Sequence, residues 1–337
     1  MIDFRSDTFT KPTPGMLNAM FTARVGDDVF GEDPTVNKLE AQAAEVFGME
    51  KAIFCPSGTM TNQIAIKCHT QPGDEVICEK LSHVYIYEGG GIAFNSGSQV
   101  KAIEGDRGRI YADQILDAIN SADVHKPVTR VVSLENTTNR GGGCCYTLPD
   151  IQEIKNVCVE NNLKLHLDGA RLFNALTATH ETTIQYGEIF DSISICLSKG
   201  LGAPVGSVLL GNNEFIKKAR RIRKVFGGGM RQAGYLAAAG IYALEHNVER
   251  LAIDHLRAKQ IADALLKKDL TGKMLPVETN IIIFEVIGFY SAKTLTEAFQ
   301  KFNIRVMPIS PTQIRMVLHL DISEEMVAET INVIQQL

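Results

Sequence analysis

Lys199 lies in Ser198-Lys199-Gly200, directly after the alternating apolar residues Ile193, Ile195 and Leu197 and at the head of a glycine-rich run from Gly200 to Gly206. A strand with that alternation carries the lysine inward, and the small residues around it leave space for a flat ligand. Desolvation there favours the neutral amine, the form that adds to a carbonyl to give a Schiff base. Upstream, Asp168 in Leu165-His166-Leu167-Asp168-Gly169-Ala170-Arg171 closes another apolar strand. An aspartate and a lysine at two strand ends suit pyridoxal phosphate: the carboxylate keeps the pyridine nitrogen protonated so that the ring accepts electrons, and the lysine holds the aldehyde. Alone, Lys199 reads as a loop lysine and Asp168 as a turn former or helix N-cap. It is their ordered combination that points to chemistry.

Further residues extend the pattern. Ser57-Gly58-Thr59 falls between a short strand, Ala52 to Phe54, and a helix carrying Met60, Ile64 and Cys68, so helix-start N–H groups and the Thr59 hydroxyl can cradle a phosphate. Gly200 to Gly206 is not a dinucleotide loop, because its third glycine falls one residue late and Pro204 interrupts the helix start. His83, before Tyr87-Glu88-Gly89-Gly90-Gly91, can stack on a flat ring or accept a hydroxyl proton. Arg171 and Arg315 are candidates for bidentate binding of a substrate carboxylate. Eight histidines without H-E-x-x-H, and seven cysteines without a C-x-x-C pair, predict no catalytic transition metal.

The elements that must position these residues follow from periodicity. Helices and short apolar strands alternate from about residue 35 to 210, predicting an α/β domain with a mainly parallel sheet covered on both faces. Strands are expected at Ala52–Phe54, Glu75–Cys78, Gln99–Ile103, Arg130–Leu134, Leu163–Leu167 and Ser192–Leu197, with helices over 36–47, through Ile115 and Ile119, and over Ile151–Val159. A long helical region over about 213–268, broken at Gly227-Gly228-Gly229, leads to a smaller α/β unit. That unit holds a strand at Asn280–Val286, a helix over Ser291–Phe302, strands near 304–307 and 314–319, and a last helix capped by Ser323. The expected division is a large domain over 1–245, whose N-terminal segment reaches the site, and a small one over 246–337.

At 337 residues and 45% apolar content the chain can bury a sizeable core. A net charge of -5 gives no footprint for nucleic acid, and the basic cluster Lys217 to Lys224 reads as a solvated helix face. No stretch is apolar enough to span a membrane, and the N-terminus has no signal-peptide pattern, so a cytoplasmic protein is expected.

The ordered set Arg5-Ser6-Asp7-Thr8, Gly26-Asp27-Asp28-Val29-Phe30-Gly31, Asp33-Pro34-Thr35, Ser57-Gly58-Thr59, His83, Glu135-Asn136-Thr137, His166 to Arg171, Ser198-Lys199-Gly200 and Gly227 to Gln232 closely resembles the L-threonine aldolases, fold-type I pyridoxal phosphate enzymes of the aspartate aminotransferase superfamily. The resemblance covers nearly the whole chain and weakens after about residue 260. It implies that Lys199 holds the cofactor as a Schiff base, Asp168 binds the pyridine nitrogen, His83 stacks on the ring, and Gly58 and Thr59 hold the phosphate. It further implies that Ser6, Arg171 and Arg315 engage the substrate carboxylate, with Arg171 also reaching the ring oxygen. Lys224 and Arg231 match positions near the site supplied by a neighbouring subunit of a homotetramer with sites at dimer interfaces. The departures are Phe30, where the family commonly has tyrosine, and Thr138, where histidine is frequent.

The implied reaction is reversible cleavage of L-threonine or L-allo-threonine to glycine and acetaldehyde. His83, or a water it holds, is the candidate base, with His125 by family analogy a second polar group near the β-hydroxyl; the residues leave the two unseparated. The rivals are another fold-type I amino-acid lyase or racemase, a noncatalytic ligand-binding protein on this fold, and a nicotinamide oxidoreductase, which the missing G-x-G-x-x-G disfavours.

Overall fold

The computed structural model describes residues 1–337. The chain starts with a two-residue strand, β1 (Ile2–Asp3), and then builds a seven-stranded sheet from β2 (Lys51–Cys55), β3 (Glu75–Glu79), β4 (Gln99–Ile103), β5 (Thr129–Glu135), β6 (Lys164–Gly169), β7 (Ser192–Cys196) and β8 (Ser207–Gly211). Their order across the sheet is β2-β8-β7-β6-β5-β3-β4. The strands from β4 to β7 pair in parallel, whereas β8 runs antiparallel to both β7 and β2. Burial on both faces explains why these strands read as continuous apolar runs: every residue of β7 is buried, as is every residue of β6 after Lys164.

Helices cover the sheet, and their ends are set locally. The helix Pro34–Phe47 begins where the Asp33 carboxylate accepts from the N–H groups of Thr35 and Val36, each at 3.0 Å, and it ends at Gly48 with φ +60°. Glycine is required there because a side chain would be strained in that conformation. Val36, Leu39, Ala43 and Phe47 of this helix join a core of 42 buried residues with the strands β5, β6 and β7.

A second core, of 22 residues, holds the C-terminal part together. It packs the helix Leu251–Leu265 against a four-stranded sheet of β9 (Thr271–Met274), β10 (Ile281–Val286), β12 (Met307–Pro308) and β13 (Gln313–Val317), with the helices Ala292–Lys301 and Glu324–Gln336. Ser323 caps the last helix through the Met326 N–H. β11 (Ile304–Arg305) pairs in parallel with β1, so Ile2 and Phe4 belong to this second core although they begin the chain. Between β1 and the large core, residues 5–10 pass across the junction of the two cores. The long helical region is three helices, Asn213–Val225, Gly234–His246 and Leu251–Leu265. No helix is long and apolar enough to cross a membrane, and all seven cysteines are free and buried.

Candidate active site

The parallel strands end along one edge of the large sheet, and crevices beyond carboxyl ends are where open α/β sheets bind ligands. β6 brings Asp168 to that edge and β5 brings Glu135, its register partner; β7 leads into Ser198-Lys199, and the chain after β3 turns into the short helix His83–Ile86. Asp168 is 2% exposed. Its Oδ1 accepts from the Ala170 N–H at 3.1 Å and its Oδ2 from Asn62 Nδ2 at 2.9 Å. The same Asn62 amide also donates to Glu88 Oε1 at 2.9 Å, and its Oδ1 faces His166 Nε2 at 3.1 Å.

His83 stands over this floor. Its Nδ1 lies 2.9 Å from Glu88 Oε1, and its backbone N–H donates to Glu135 Oε2 at 2.7 Å. Ligand atoms of His83, Glu88 and Asp168 all lie within 4.8 Å of one another. Burial by itself presses the His83 pKa down, but the Glu88 hydrogen bond and the charges of Asp168 and Glu88 outweigh it and raise the value above 6.5. Glu135 is fully buried beside Asp168, and both causes push its carboxyl up to about 7. The Lys199 ammonium lies close enough to act on both His83 and Asp7.

The Ser57-Gly58-Thr59 turn is built as the spacing predicts for a helix start: the Ser57 hydroxyl accepts from the Met60 N–H and opens the helix Gly58–His69. Gly58 faces β8, where a Cβ on the glycine would come 3.5 Å from Ser207 Oγ, a buried hydroxyl without a hydrogen-bond partner. Gly228 packs against Met60, so the Gly227-Gly228-Gly229 run borders the same turn.

At the opposite side of the crevice the N-terminal segment meets two arginines. Asp7 takes Arg171 in a two-pronged pair, Oδ2 from Nε and Oδ1 from Nη2, both at 2.7 Å and both side chains buried. Burial alone would raise the Asp7 carboxyl, yet the charge and hydrogen bonds of Arg171, aided by Lys199 and His319, lower it to about 2. Arg315 has only neutral partners: Nη1 donates to Asn139 Oδ1 at 2.8 Å and Nη2 to the Arg5 carbonyl at 3.1 Å, while its buried Nε–H has none. Burial and the neighbouring Arg171 press its pKa down to about 10, which still leaves it a cation at neutral pH. Ser6 lies between these contacts, bonded to Thr8.

Two expectations need adjustment. Asp7 occupies the Nε edge of the Arg171 guanidinium, so only its Nη1–Nη2 end is left for a substrate carboxylate. His125 does not join the crevice within the chain: it is exposed, bonded to Asp123, and precedes β5, whose seven residues put roughly 20 Å between it and Glu135. Lys224 and Arg231, expected at the site of a neighbouring subunit, lie outside the protomer's own crevice. Lys224 lines a surface groove, and Arg231 pairs with Asp27 at 3.0 Å. Phe30 is 73% exposed, and Thr138 is buried in a turn with Cys144 and the Arg107 carbonyl.

The crevice also contains residues to which spacing gave no role: Asp7, Asn62, Glu88, Glu135 and Asn139. Asp7, Glu88 and Glu135 carried a signal, as members of the short motifs Arg5-Ser6-Asp7-Thr8, Tyr87-Glu88-Gly89-Gly90-Gly91 and Glu135-Asn136-Thr137.

A family model for beta-eliminating lyases matches residues 3–287. The chain belongs to the beta-eliminating lyase family. Within that family it is 44% identical over 330 residues to a low specificity L-threonine aldolase of Escherichia coli K12, covering 98% of this chain and 97% of that one. It is 39% identical over 342 residues to low-specificity L-threonine aldolase 1 of Arabidopsis thaliana, with 99% and 96% covered. Among solved structures, a threonine aldolase of Leishmania major superposes with a TM-score of 0.88 at 22% identity, covering 100% of this chain and 99% of that one. The lyase chain thus has the fold-type I architecture, an α/β large sheet with a smaller C-terminal unit.

Proposed function

We propose that the chain catalyses reversible retro-aldol cleavage of L-threonine and L-allo-threonine to glycine and acetaldehyde, with pyridoxal 5'-phosphate as cofactor. One observation carries the reading: Asp168, His83 and Lys199 gather at the strand ends opposite Arg315, a half-buried cation whose hydrogen-bond partners are all neutral, so that its charge is open to a carboxylate. The near full-length identity to threonine aldolases supports the choice of reaction.

The residues present fit the cofactor. Asp168 keeps lone pairs free for a pyridinium, and the helix start at Gly58 with the orphan Ser207 hydroxyl suits a phosphate. Lys199 would hold the aldehyde, Asp168 the ring nitrogen, Gly58 and Thr59 the phosphate, and His83 would lie on the ring. When bound, the cofactor supplies an electron sink for the pair released from the breaking Cα–Cβ bond. Arg315, with Ser6 beside it, binds the substrate carboxylate and so fixes which bond at Cα stands ready to break. His83 directs Nδ1–H to Glu88, which leaves Nε2 with the lone pair that takes the β-hydroxyl proton. Lys224 and Arg231 act in the crevice of a neighbouring subunit of a homotetramer. Val225, exposed beside Lys224, and the exposed Phe30, next to Val29 of the groove that Lys224 lines, are the apolar surface such a contact would cover.

The test is the visible absorbance of wild type and Lys199→Ala with added cofactor, followed by acetaldehyde release from both threonine epimers. A Schiff-base band and acetaldehyde are expected from wild type, and neither from Lys199→Ala. A keto acid or a D-amino acid in place of acetaldehyde would move the assignment to another lyase or a racemase, and no band at all would remove the cofactor reading.

A further inference from the structure

Glu135 joins two parts of the crevice that no other side chain connects. It ends β5 fully buried, and each carboxylate oxygen has its own donor: Oε2 takes the backbone N–H of His83 at 2.7 Å, and Oε1 takes the backbone N–H of Asn139 at 2.8 Å. The two donors lie on different segments, one after β3 and one on the loop after β5. Each then holds a group facing the crevice. The His83 ring comes from the first segment, while the second presents Asn139 Oδ1 to Arg315 Nη1 at 2.8 Å. Arg315 lies on β13 in the other core, so the path from Glu135 through Asn139 also crosses the junction between the two units.

We infer that Glu135 is a positioning residue: one buried carboxylate that sets the His83 ring and, through Asn139, the Arg315 guanidinium in a fixed relation to each other. The inference rests on the proposed use of His83 and Arg315 by the cofactor and the substrate carboxylate. The choice of residue type follows from the geometry. Two backbone donors aimed at two oxygens need an acceptor at both ends, and only a carboxylate offers that; a glutamine of the same shape would turn an NH2 donor toward one of them. Asn139 suits the second link for a related reason. A neutral acceptor holds the guanidinium without neutralising it, whereas an aspartate there would compete with the substrate. Glu135 does not touch the reacting atoms, so its effect is felt through the two groups it holds.

The experiment compares holoenzyme of wild type, Glu135→Gln and Asn139→Ala by three readings: the pH titration of the visible cofactor band without substrate, the dissociation constant for glycine, and kcat and KM for L-threonine. The band reports the His83 end, and glycine affinity reports the Arg315 end. Asn139→Ala is expected to weaken glycine binding and raise KM about tenfold, the loss of one hydrogen bond to a charged group, with the band titration in place. Glu135→Gln is expected to move the band titration as well as one or both of the binding readings, with kcat/KM down roughly 10- to 100-fold. Unchanged band, binding and KM in a folded Glu135→Gln would overturn the inference. If that variant does not fold, wild-type glycine affinity in Asn139→Ala overturns it instead. Wild type that shows the band and binds glycine but releases no acetaldehyde fails only the aldolase reading, since the positioning role is read without cleavage.

Discussion

The floor of the crevice and its mouth each leave one charge with neutral partners only, Asp168 on the floor and Arg315 at the mouth. On the floor, Asp168, Glu88 and Glu135 are buried together: Asn62 bridges Asp168 and Glu88 with the His166 ring behind it, backbone N–H groups hold Glu135, and the His83 ring pairs with Glu88. At the mouth two arginines, Arg171 buried and Arg315 half-buried, face one carboxylate, Asp7, which is paired with Arg171. Asp168 itself has only neutral hydrogen-bond partners, and the mouth has one cation to spare. A ligand with a protonated ring at one end and a carboxylate at the other matches that division, whereas an uncharged ligand would leave both ends uncompensated. The difference also teaches why the two arginines are not equivalent, though both line the mouth. Arg171 is structural in its electrostatics, and Arg315 is held by neutral groups so that its charge stays available.

The largest expected effect tests the structural arginine. Asp7→Asn keeps the shape but leaves Arg171 buried without its counter-charge, which costs on the order of 3–5 kcal/mol of stability. It would be read as a lower urea midpoint at neutral pH. The pair has a pH signature as well. The Asp7 carboxyl is depressed from 3.8 to about 2, so its contribution is present above 3.8 and is lost as pH falls through 2. A variant as stable as wild type would mean that Arg171, like Arg315, manages without a partner, and the contrast between the two would be gone.

Arg315→Leu comes next and should behave in the opposite way. A cation whose Nε–H has no partner and whose pKa is pressed down by burial gives the fold little, so stability is expected within about 1 kcal/mol of wild type. Loss of the charged hydrogen bonds to the substrate carboxylate is expected to lower kcat/KM for L-threonine roughly 30- to 100-fold. Steady-state kinetics beside a melting curve separates the two arginines. If Arg315→Leu unfolds the chain while retaining its turnover per folded molecule, the spare cation is not the carboxylate site.

How much of this was legible in the sequence depends on whether a residue's partner lies on its own element. Leu163–Leu167 and Ser192–Leu197 are readable strands because parallel strands buried on both faces must be apolar throughout. They also place Asp168 and Lys199 at one sheet edge. β8 escaped notice because Val208-Leu209-Leu210 follows directly on the glycine-rich run and is too short to show a period. The helix Leu172–Thr179 was similarly hidden behind Asp168-Gly169, which reads as a turn. Within the crevice, Arg171 was legible as a carboxylate-binding candidate but not as the partner of Asp7, which reaches it from a segment 164 residues earlier. The path from Glu135 through Asn139 to Arg315 uses a backbone N–H and a second core, neither of which leaves a mark in residue spacing. His125 shows the converse: a family position can be matched in sequence while the chain's own fold puts it at the far end of β5.

The smallest effect concerns the neutral scaffold of the floor. Asn62 points its NH2 at Glu88 and Asp168 and so offers Oδ1 to His166, which places the imidazole proton on Nε2 and leaves Nδ1 facing the Ser192 hydroxyl at 2.9 Å. Burial lowers the His166 pKa from 6.5 to about 4, Asp168 only partly opposing it. The native state then binds fewer protons than the unfolded one below pH 6.5. Stability from the neutral ring is present above that value and is lost as pH falls toward 4, by about 2 kcal/mol between pH 7 and 5. Glu135 works in the other direction. Its carboxyl is raised from 4.5 to about 7, so its contribution is present below 4.5 and lost as pH rises through 7, which partly offsets the histidine in wild type. Comparing wild type with His166→Gln cancels that offset, because Glu135 is in both. The unfolding midpoint of His166→Gln is expected to fall less steeply from pH 7 to 5, with His69, lowered to about 3 by burial, supplying the slope that remains. Parallel curves would mean that His166 already carries a proton at neutral pH. The floor would then hold a buried cation behind Asn62, and the neutral setting of Asp168, the basis for a protonated ring there, would no longer stand.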